Sequence, residues 1–169
     1  QIGFYNLFDS EARRYLQSDI ELPPTESIIK ENAEKYINFN KSTGKIMFVI
    51  ENLKGENVGC FNLNSINDKN GTFSIGIQIN NDHRRKGYGT AAMRLLLKYA
   101  FFERRLNKFY GFILEGNTAS EKMLIKLGCK KEGVRRKHIY TNGRYNDEIL
   151  FGNVKNGTPL PPRTGAIPT

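Results

Sequence analysis

The alternation of hydrophobic and polar positions predicts a run of strands in the first half of the chain. Lys45–Glu51, Val58–Ile66 and Thr72–Ile79 carry alternating or short continuous apolar runs, as half-buried strands do. The segments that separate them, Lys54–Asn57 and Asn67–Gly71, contain the Gly and Asn residues typical of tight turns. We therefore predict three consecutive antiparallel strands.

Two helices are predicted before these strands. Ser10 can cap a short helix that ends near Gln17, and two prolines follow Leu22. Thr25 can cap a second helix, roughly Glu26–Phe39. The buried stripe of that second helix is expected to comprise Ile29, Ala33, Tyr36 and Ile37.

Helical periodicity appears directly after the third strand. Thr90–Phe102 is predicted to form a helix, and Lys108–Leu114 is predicted to be a buried strand after it. The apolar residues expected to share one face of this helix are Ala91, Leu95 and Phe102, with Leu96 and Leu97 beside them.

A short helix and a hairpin are predicted to complete the fold. Asn117 can cap a helix that runs to about Leu127, where a glycine stops it. Residues 129–140 and Arg144–Val154 form two strands around the turn Thr141–Gly143.

This order of elements predicts an α+β fold with a mixed, mostly antiparallel sheet flanked by helices. Its one parallel step, a strand–helix–strand unit, opens a crevice at a topological switch. We expect a single domain over residues 1–155. Residues 156–169 contain four prolines without periodicity and are expected to be disordered.

Composition narrows the class of protein. The chain of 169 residues can bury a substantial core, and no apolar run is long enough to cross a bilayer. Its two cysteines, Cys60 and Cys129, have neither disulfide-framework nor metal-site spacing, and two histidines are too few for a metal cluster. We therefore expect a cytoplasmic protein without a metal.

The positive charge is unevenly distributed. The net charge is +9, yet residues 1–40 hold seven acids and four bases, so the remainder carries +12. The chain lacks the basic, aromatic-interleaved motif of RNA-binding sheets, so nucleic acid is not the expected partner.

The segment Asn80–Ala91 (NNDHRRKGYGTA) joins the third strand to the following helix. Gly87 and Gly89 allow a tight turn and close approach of a ligand. The first N–H groups of a helix have no partner within it, and the helix dipole is positive there, so this turn can hold a phosphate or pyrophosphate. The cations that add charge are Arg84, Arg85 and Lys86.

Two common phosphate motifs do not fit this turn. A P-loop requires Gly-Lys-Ser/Thr at the helix start, and this turn lacks that sequence. A dinucleotide turn requires a third glycine, or an alanine in its place, and also upstream parallel strand–helix–strand repeats, which are missing here. Arg84–Gly89 instead resembles the R/Q-x-x-G-x-G/A pyrophosphate loop of GNAT acetyltransferases.

Three later segments extend the resemblance to the ribosomal-protein N-terminal acetyltransferase branch of that family. Asn117–Ser120 resembles its N-x-x-S, and Lys126–Gly133 resembles its K-L-G-F…E-G. Tyr140–Gly152 is similar to its closing hairpin. The resemblance covers about Lys45–Val154, whereas the family's first strand is absent or divergent at the N-terminus.

The resemblance implies acetyl-CoA as the donor and a primary amine as the acceptor, either a protein N-terminus or a small molecule. Backbone N–H groups near Gln78 and Ile79 would polarise the acetyl oxygen. The residues expected to bind acetyl-CoA are Gln78, Ile79, Arg84, Arg85, Lys86, Gly87, Tyr88, Gly89, Thr90 and Asn117.

The resemblance also implies which residues could be catalytic. The N-x-x-S resemblance implies that Ser120 lies near the sulfur and donates a proton to the departing thiolate. The tyrosine that many relatives use for this step is replaced by Leu124. Ser74 stands where many relatives carry a glutamate base. The candidate bases are therefore Glu115 and either Asp147 or Glu148, and Tyr140 is a candidate replacement for the missing tyrosine.

Three other interpretations remain open. The acceptor could be a polyamine or an antibiotic-type amine. The chain could be a non-catalytic acyl-CoA-binding module, which the residues Ser74 and Leu124 would suit. It could also be a basic nucleic-acid-binding domain, whose affinity would fall steeply with salt. The sequence is compatible with a homodimer and does not name the acceptor.

Overall fold

A computed structural model describes residue 27 and residues 46–155 of the chain. Both predicted N-terminal helices lie outside the described residues, except for Ser27. The divergent first strand and the tail 156–169 also lie outside them. Ser27 is helical and exposed. The domain limits therefore stay a prediction.

The described strands form one six-stranded sheet in the order β1-β2-β3-β4-β6-β5, in which only β3 and β4 are parallel. The predicted α+β class and its single parallel step are confirmed. The strands are β1 (Ile46–Glu51), β2 (Asn57–Asn67), β3 (Thr72–Ile79), β4 (Lys108–Leu114), β5 (Lys130–Thr141) and β6 (Arg144–Val154). The helices are α1 (Tyr88–Lys98), continued by a π-helical turn (Tyr99–Glu103), and α2 (Thr118–Lys126), and a short 3₁₀ turn spans Asn81–His83.

The β5–β6 turn is the predicted Asn-Gly hairpin. Asn142 and Gly143 have φ angles of 55° and 74°, so both central residues are left-handed. This backbone matches the twist of the paired strands, and Asn and Gly adopt it most readily. Local sequence thus determines the register at the tip of the hairpin, where Thr141 pairs with Arg144, whereas two irregularities shift it further along β5.

The core lies between one face of the sheet and the two helices. Phe73 of β3, Phe109 of β4 and Phe151 of β6 are almost fully buried there. They pack with residues of α1 and α2 and of the chain between α1 and β4, among them Met93, Leu96, Leu97, Phe101, Leu106, Leu124 and Leu127.

The predicted inner face of α1 is wrong for Ala91, Leu95 and Phe102, although Leu96 and Leu97 beside them are buried. Leu95 is 66% exposed, Phe102 is 53% exposed, and Ala91 is also exposed. Nearly every residue from Ala91 to Leu97 is apolar, so helical periodicity permits two neighbouring stripes, and contact with the sheet selects one of them. The stripe that is buried comprises Ala92, Met93, Leu96 and Leu97.

Within the described part of the chain, no helix has both the length and the apolar character needed to span a membrane. The same residues contain no group of three or more His, Cys, Asp or Glu side chains that could hold a metal ion.

Candidate functional site

The sheet opens between β3 and β4. These strands pair only at Thr72 with Lys108 and at Phe73 with Phe109. Beyond that point β3 stays paired with β2, and β4 stays paired with β6 as far as Leu114. The two strands therefore diverge towards their carboxyl ends. The edges that face each other there are not paired in the sheet.

A cavity of about 510 Å³ occupies this opening. β3 contributes the unbroken run Ile75–Ile79, and β4 contributes Phe109 and Gly111–Ile113. Successive residues of a strand point to opposite faces of a sheet. An unbroken run can line one cavity only along the strand edge, so the cavity is a slot that reaches both faces of the sheet.

Backbone N–H groups of β3 face into the slot. The N–H of Asn80 donates to the Val58 carbonyl at 2.9 Å, and the N–H of Gly76 donates to Asn62 Oδ1 at 3.0 Å. Both donors therefore point towards β2. Because direction alternates along an antiparallel strand, the N–H groups of Ile77 and Ile79 point away from β2, into the slot. Sequence analysis expected such donors near Gln78 and Ile79, and the alternation favours Ile77 over Gln78.

The glycine-containing turn forms one end of the slot. Gly87 has φ of 86° and stands at the N-cap of α1, whose first turn carries no acidic residue. Arg84 and Arg85 line the cavity, whereas Lys86 is exposed and does not. Arg84 is anchored by Nε–H donation to the Ile79 carbonyl at 3.1 Å. The remaining turn residues that line the cavity are Gly87, Tyr88, Gly89 and Thr90.

The N-terminus of α2 lies across the slot. Asn117 caps this helix as predicted, because its Oδ1 accepts the Ser120 N–H at 3.2 Å. Asn117 and Ser120 both line the cavity, together with Leu124 from the next turn. The structure therefore brings these two candidates together with the basic turn.

Two predicted catalytic residues do not reach the cavity lining. Glu115 is exposed, and its Oε2 accepts the Asp147 N–H at 3.3 Å. Asp147 Oδ1 accepts the Lys137 N–H at 2.9 Å. Glu148 is buried beside Arg135, whose Nη1 lies 2.8 Å from Glu148 Oε2.

Tyr140 and Ser74 are also separate from the cavity lining. Tyr140 is 64% exposed, and its ring centroid lies 5.1 Å from that of Tyr145 near the tip of the hairpin. Ser74 lies in β3 just before the run that lines the slot. Replacement of the missing tyrosine by Tyr140 is therefore not supported by the geometry.

Sequence analysis missed two polar side chains of the slot. His83 lines the cavity, and its ring lies 6.2 Å from that of Tyr88. Gln78 was considered only for its backbone, yet its Nε2 is buried and has no hydrogen-bond partner among the described residues. Alternation along β3 predicts that the Gln78 side chain lies on the opposite face of the sheet from those of Ile77 and Ile79. It does not predict that Gln78 Nε2 lacks a hydrogen-bond partner among the described residues.

A family model described as an acetyltransferase (GNAT) domain matches residues 3–130, about three quarters of the chain. The chain belongs to the GNAT acetyltransferase family. The family resemblance predicted from the pyrophosphate turn is thereby confirmed. The matched region contains β1 to β4, both described helices and the whole slot.

Several GNAT relatives are similar to this chain. It is 29% identical to the uncharacterized N-acetyltransferase YoaA of Bacillus subtilis over 100 residues, which are 59% of this chain and 56% of YoaA. It is 28% identical to the "Putative ribosomal N-acetyltransferase YdaF" of the same organism over 130 residues, 77% of this chain and 68% of that protein. The chain thus spans about half the length of YoaA and two thirds of YdaF.

Solved structures agree on the fold. A spermidine N-acetyltransferase from Vibrio cholerae, in complex with CoA and spermine, superposes with a TM-score of 0.80 at 21% identity. The match covers 90% of this chain and 88% of that one. At this identity the likeness establishes the shared GNAT fold alone.

Proposed function

We propose that this GNAT protein is an N-acetyltransferase that moves an acetyl group from acetyl-CoA to a primary amine. The observation that carries the proposal is the slot between β3 and β4, with a basic helix N-terminus at one end and strand N–H groups along its edge. The N-acetyltransferase names of the relatives support the same activity.

The residues present suit acetyl-CoA, which would supply the acetyl group as a thioester. Its pyrophosphate would lie against the N–H groups at the start of α1, with Arg84 and Arg85 beside it. The N–H groups of Ile77 and Ile79 would donate to the acetyl oxygen, and one such donor is worth about 3 kcal/mol in other enzymes. The cavity volume of about 510 Å³ is within the range of small-molecule sites.

Ser120 is proposed as the donor to the sulfur. The transfer forms a C–N bond and breaks a C–S bond, so the amine must lose a proton and the sulfur must gain one. Ser120 lines the slot at the N-terminus of α2, where the helix dipole also favours a developing negative charge. Asn117, which also lines the slot, would contact the arm that carries the thioester.

The base is proposed to act through water. The described cavity lining contains no Asp or Glu side chain. Glu115 and Asp147 lie near the end of β4 and can accept a proton only through intervening solvent. An amine with a pKa near 10 is mostly protonated at neutral pH, so this relay would be rate-limiting at low pH.

The acceptor is proposed to be a protein N-terminus or a small amine. The ribosomal name of YdaF supports the first, and the Vibrio cholerae spermidine enzyme supports a polyamine. A cytoplasmic location is proposed because Cys60 and Cys129 are both thiols. A homodimer is compatible with this proposal and is not required by it.

Thermal unfolding with and without acetyl-CoA tests the cofactor site. Ligand at 100 times its dissociation constant should stabilise the protein by about 2.7 kcal/mol. Arg85→Gln should weaken this effect, because it removes an exposed positive charge at the slot and keeps a polar side chain. Arg94→Gln is the matched control, since Arg94 is exposed on α1 and does not line the cavity.

Release of free thiol from acetyl-CoA in the presence of amines tests transfer itself. Acetyl-CoA binding without thiol release on any protein N-terminus, polyamine or amino sugar would favour the non-catalytic module. The absence of any melting shift in the wild type would contradict the proposed function altogether.

A further inference from the structure

The outer part of the β5–β6 hairpin projects beyond the other described strands. β4 pairs with β6 only as far as Leu114 beside Glu148, and the Glu115 N–H then donates to the Asp147 carbonyl. We refer to residues 136–146, which lie past this point, as the hairpin arm. Its two strands pair only with each other within the described sheet, and β5 is the last strand in the sheet order.

Hydrogen bonds hold the hairpin arm in one shape. The Asn146 side chain is buried, and its Nδ2 donates to the carbonyls of Thr141, at 3.1 Å, and Arg144, at 2.9 Å. Its Oδ1 accepts from Arg144 Nε at 3.0 Å. At the base of the arm, the Lys137 N–H donates to Asp147 Oδ1 at 2.9 Å. A ligand on this arm would therefore not have to order the backbone on which it binds.

Two tyrosines are displayed near the tip of the arm. Tyr140 and Tyr145 are paired across the two strands, and their side chains are 64% and 60% exposed. Their ring centroids lie 5.1 Å apart with an edge-to-face orientation. The edge of one ring can cover only one face of the other, so ring faces stay open to a planar ligand.

The arm carries three fully charged cations and no acid. The cations are Arg136, Lys137 and Arg144. All three are exposed, and none forms an ion pair with a described carboxylate. The two acids that follow the arm are engaged, since Asp147 accepts the Lys137 N–H and the buried Glu148 is paired with Arg135. The exposed rings therefore share the arm with positive charge.

Protection of an open sheet edge would explain the cations but not the tyrosines. Charged side chains on edge strands prevent pairing with another chain, whereas exposed aromatic rings favour contact. A second copy of this chain is not the partner that suits the arm, because a symmetric contact would bring the same cations against each other. A protonated polyamine is repelled by the same charges.

We propose that the hairpin arm binds single-stranded nucleic acid, with bases stacked on Tyr140 and Tyr145 and phosphates beside the three cations. Cations that follow the backbone, combined with aromatic rings on which bases stack, are the features of sequence-tolerant single-strand binding. The bases of a duplex are stacked on one another, so exposed rings cannot reach their faces. An acidic peptide would pair with the cations but has no bases for the rings. A projecting hairpin also differs from the RNA-binding sheets whose motif the sequence lacks.

Fluorescence anisotropy of a labelled oligouridine tests the electrostatic part of this proposal. Its length should fall in the range of known single-strand sites, about 4–16 nucleotides. Three phosphate contacts predict that the logarithm of the association constant falls with the logarithm of salt concentration with a slope of about −2. Arg136→Gln should reduce the magnitude of the slope by about 0.7. Arg94→Gln removes the same charge from the exposed side of α1 and should leave the slope unchanged.

The tyrosines are tested by the same titration. Tyr140→Leu removes the ring and should weaken binding about tenfold without changing the salt slope, because stacking is not a charge effect. Tyr145→Leu should act in the same way, which gives a second variant of the same surface. Tyr110→Leu is the matched control, since Tyr110 is 37% exposed in β4 and lies outside the arm. It should leave binding unchanged.

Several results would overturn the proposal. They are the absence of oligouridine binding at low salt, equal affinity for its duplex with oligoadenosine, and unchanged affinity in both tyrosine variants of the arm. Tighter binding of polyglutamate or of phosphatidylserine vesicles would assign the arm to another kind of partner. Displacement of oligouridine by saturating CoA would place it in the slot instead.

A deoxythymidine oligonucleotide of the same length shows whether the arm prefers RNA or DNA, and both lie within the proposal. None of these measurements depends on acetyl transfer. Failure of the thiol-release assay would therefore leave this inference standing, and failure of oligouridine binding would leave the proposed function standing.

Discussion

At the residue scale, Cys129 is the clearest case of a side chain whose chemistry is set by burial. It is 5% exposed, and burial raises its pKa to about 11, although a hydrogen bond from Asn153 lowers it somewhat. The thiolate, not the thiol, reacts with alkylating agents. Cys129 should therefore be inert in the native protein despite being one of only two cysteines.

We expect the stability contributed by Cys129 to fall at high pH. The unfolded thiol ionises near its usual pKa of 9.0, whereas the folded thiol stays protonated to about 11. Stability is therefore complete below pH 9 and declines as the pH rises towards 11. The difference in unfolding free energy between the wild type and Cys129→Ala should shrink over this range. A constant difference from pH 8 to 11 would contradict the assignment.

Ser120→Ala should lower kcat by about 100-fold, because a general acid typically contributes at least that much. The dissociation constant for acetyl-CoA should change little, since the Asn117 cap uses the Ser120 backbone rather than its hydroxyl. Thr118→Ala provides the control, because Thr118 is exposed in the same helical turn. Equal kcat values for Ser120→Ala and Thr118→Ala would remove Ser120 from the mechanism.

Residue roles that depend on neighbours in sequence were predictable, and those that depend on distant contacts were not. The Asn117 cap could be predicted because donor and acceptor lie three residues apart. Glu115 and Asp147 were candidates because they flank the strands of the site, but side-chain reach into a cavity depends on packing. The unpaired Gln78 amide has no sequence signal at all.

At the element scale, β3 has two differently protected edges. Its N–H groups alternate between β2 and the slot, so the Ile77 and Ile79 amides should exchange faster with solvent than the Gln78 amide. Saturating acetyl-CoA should slow exchange at Ile77 and Ile79 and leave Gln78 nearly unchanged. Hydrogen exchange resolved by NMR measures this, and uniform protection along β3 without ligand would refute the open edge.

Gly59 is held in β2 by its contact with the neighbouring strand. A Cβ at this position would overlap the Gln78 carbonyl oxygen and lie 3.0 Å from Ile79 Cα. Both are backbone atoms and cannot turn aside, so Gly59→Ala should destabilise by about 1–3 kcal/mol. Chemical denaturation measures this change.

Gly133→Ala in β5 is the control for Gly59→Ala. Its added Cβ would meet only Leu150 Cδ1, at an ordinary contact distance of 3.6 Å. A loss of stability equal to that of Gly59→Ala would show that strand glycines matter here for their conformation rather than for the space beside them.

The bounds of β3, β4 and β6 were predicted to the residue, whereas those of α1 were not. Each of those strands is limited by turn residues or by a clear break in alternation. α1 begins at Tyr88, directly after Gly87, whose backbone is left-handed. Its end passes into a π-helical turn, which periodicity does not reveal.

At the scale of the whole molecule, the antiparallel run from β1 to β3 and the parallel step to β4 could be predicted, whereas the place of β6 between β4 and β5 could not. A strand–helix–strand step fixes β3 and β4 as parallel neighbours, but pairing at only two positions reflects how the two halves pack. Sequence analysis predicted a crevice at this parallel step. Its reach to both faces of the sheet required the lining residues of the folded chain.

The slot, open on both sides of the sheet, has a kinetic consequence. Since neither substrate lies in the path of the other, a ternary complex can form, and no acetylated protein needs to accumulate between two half-reactions. Double-reciprocal plots of rate against amine concentration, at several fixed acetyl-CoA concentrations, should therefore intersect. Free CoA should compete with acetyl-CoA and not with the amine. Parallel lines would mean that the first product must leave before the second substrate enters, as from a pocket with a single mouth.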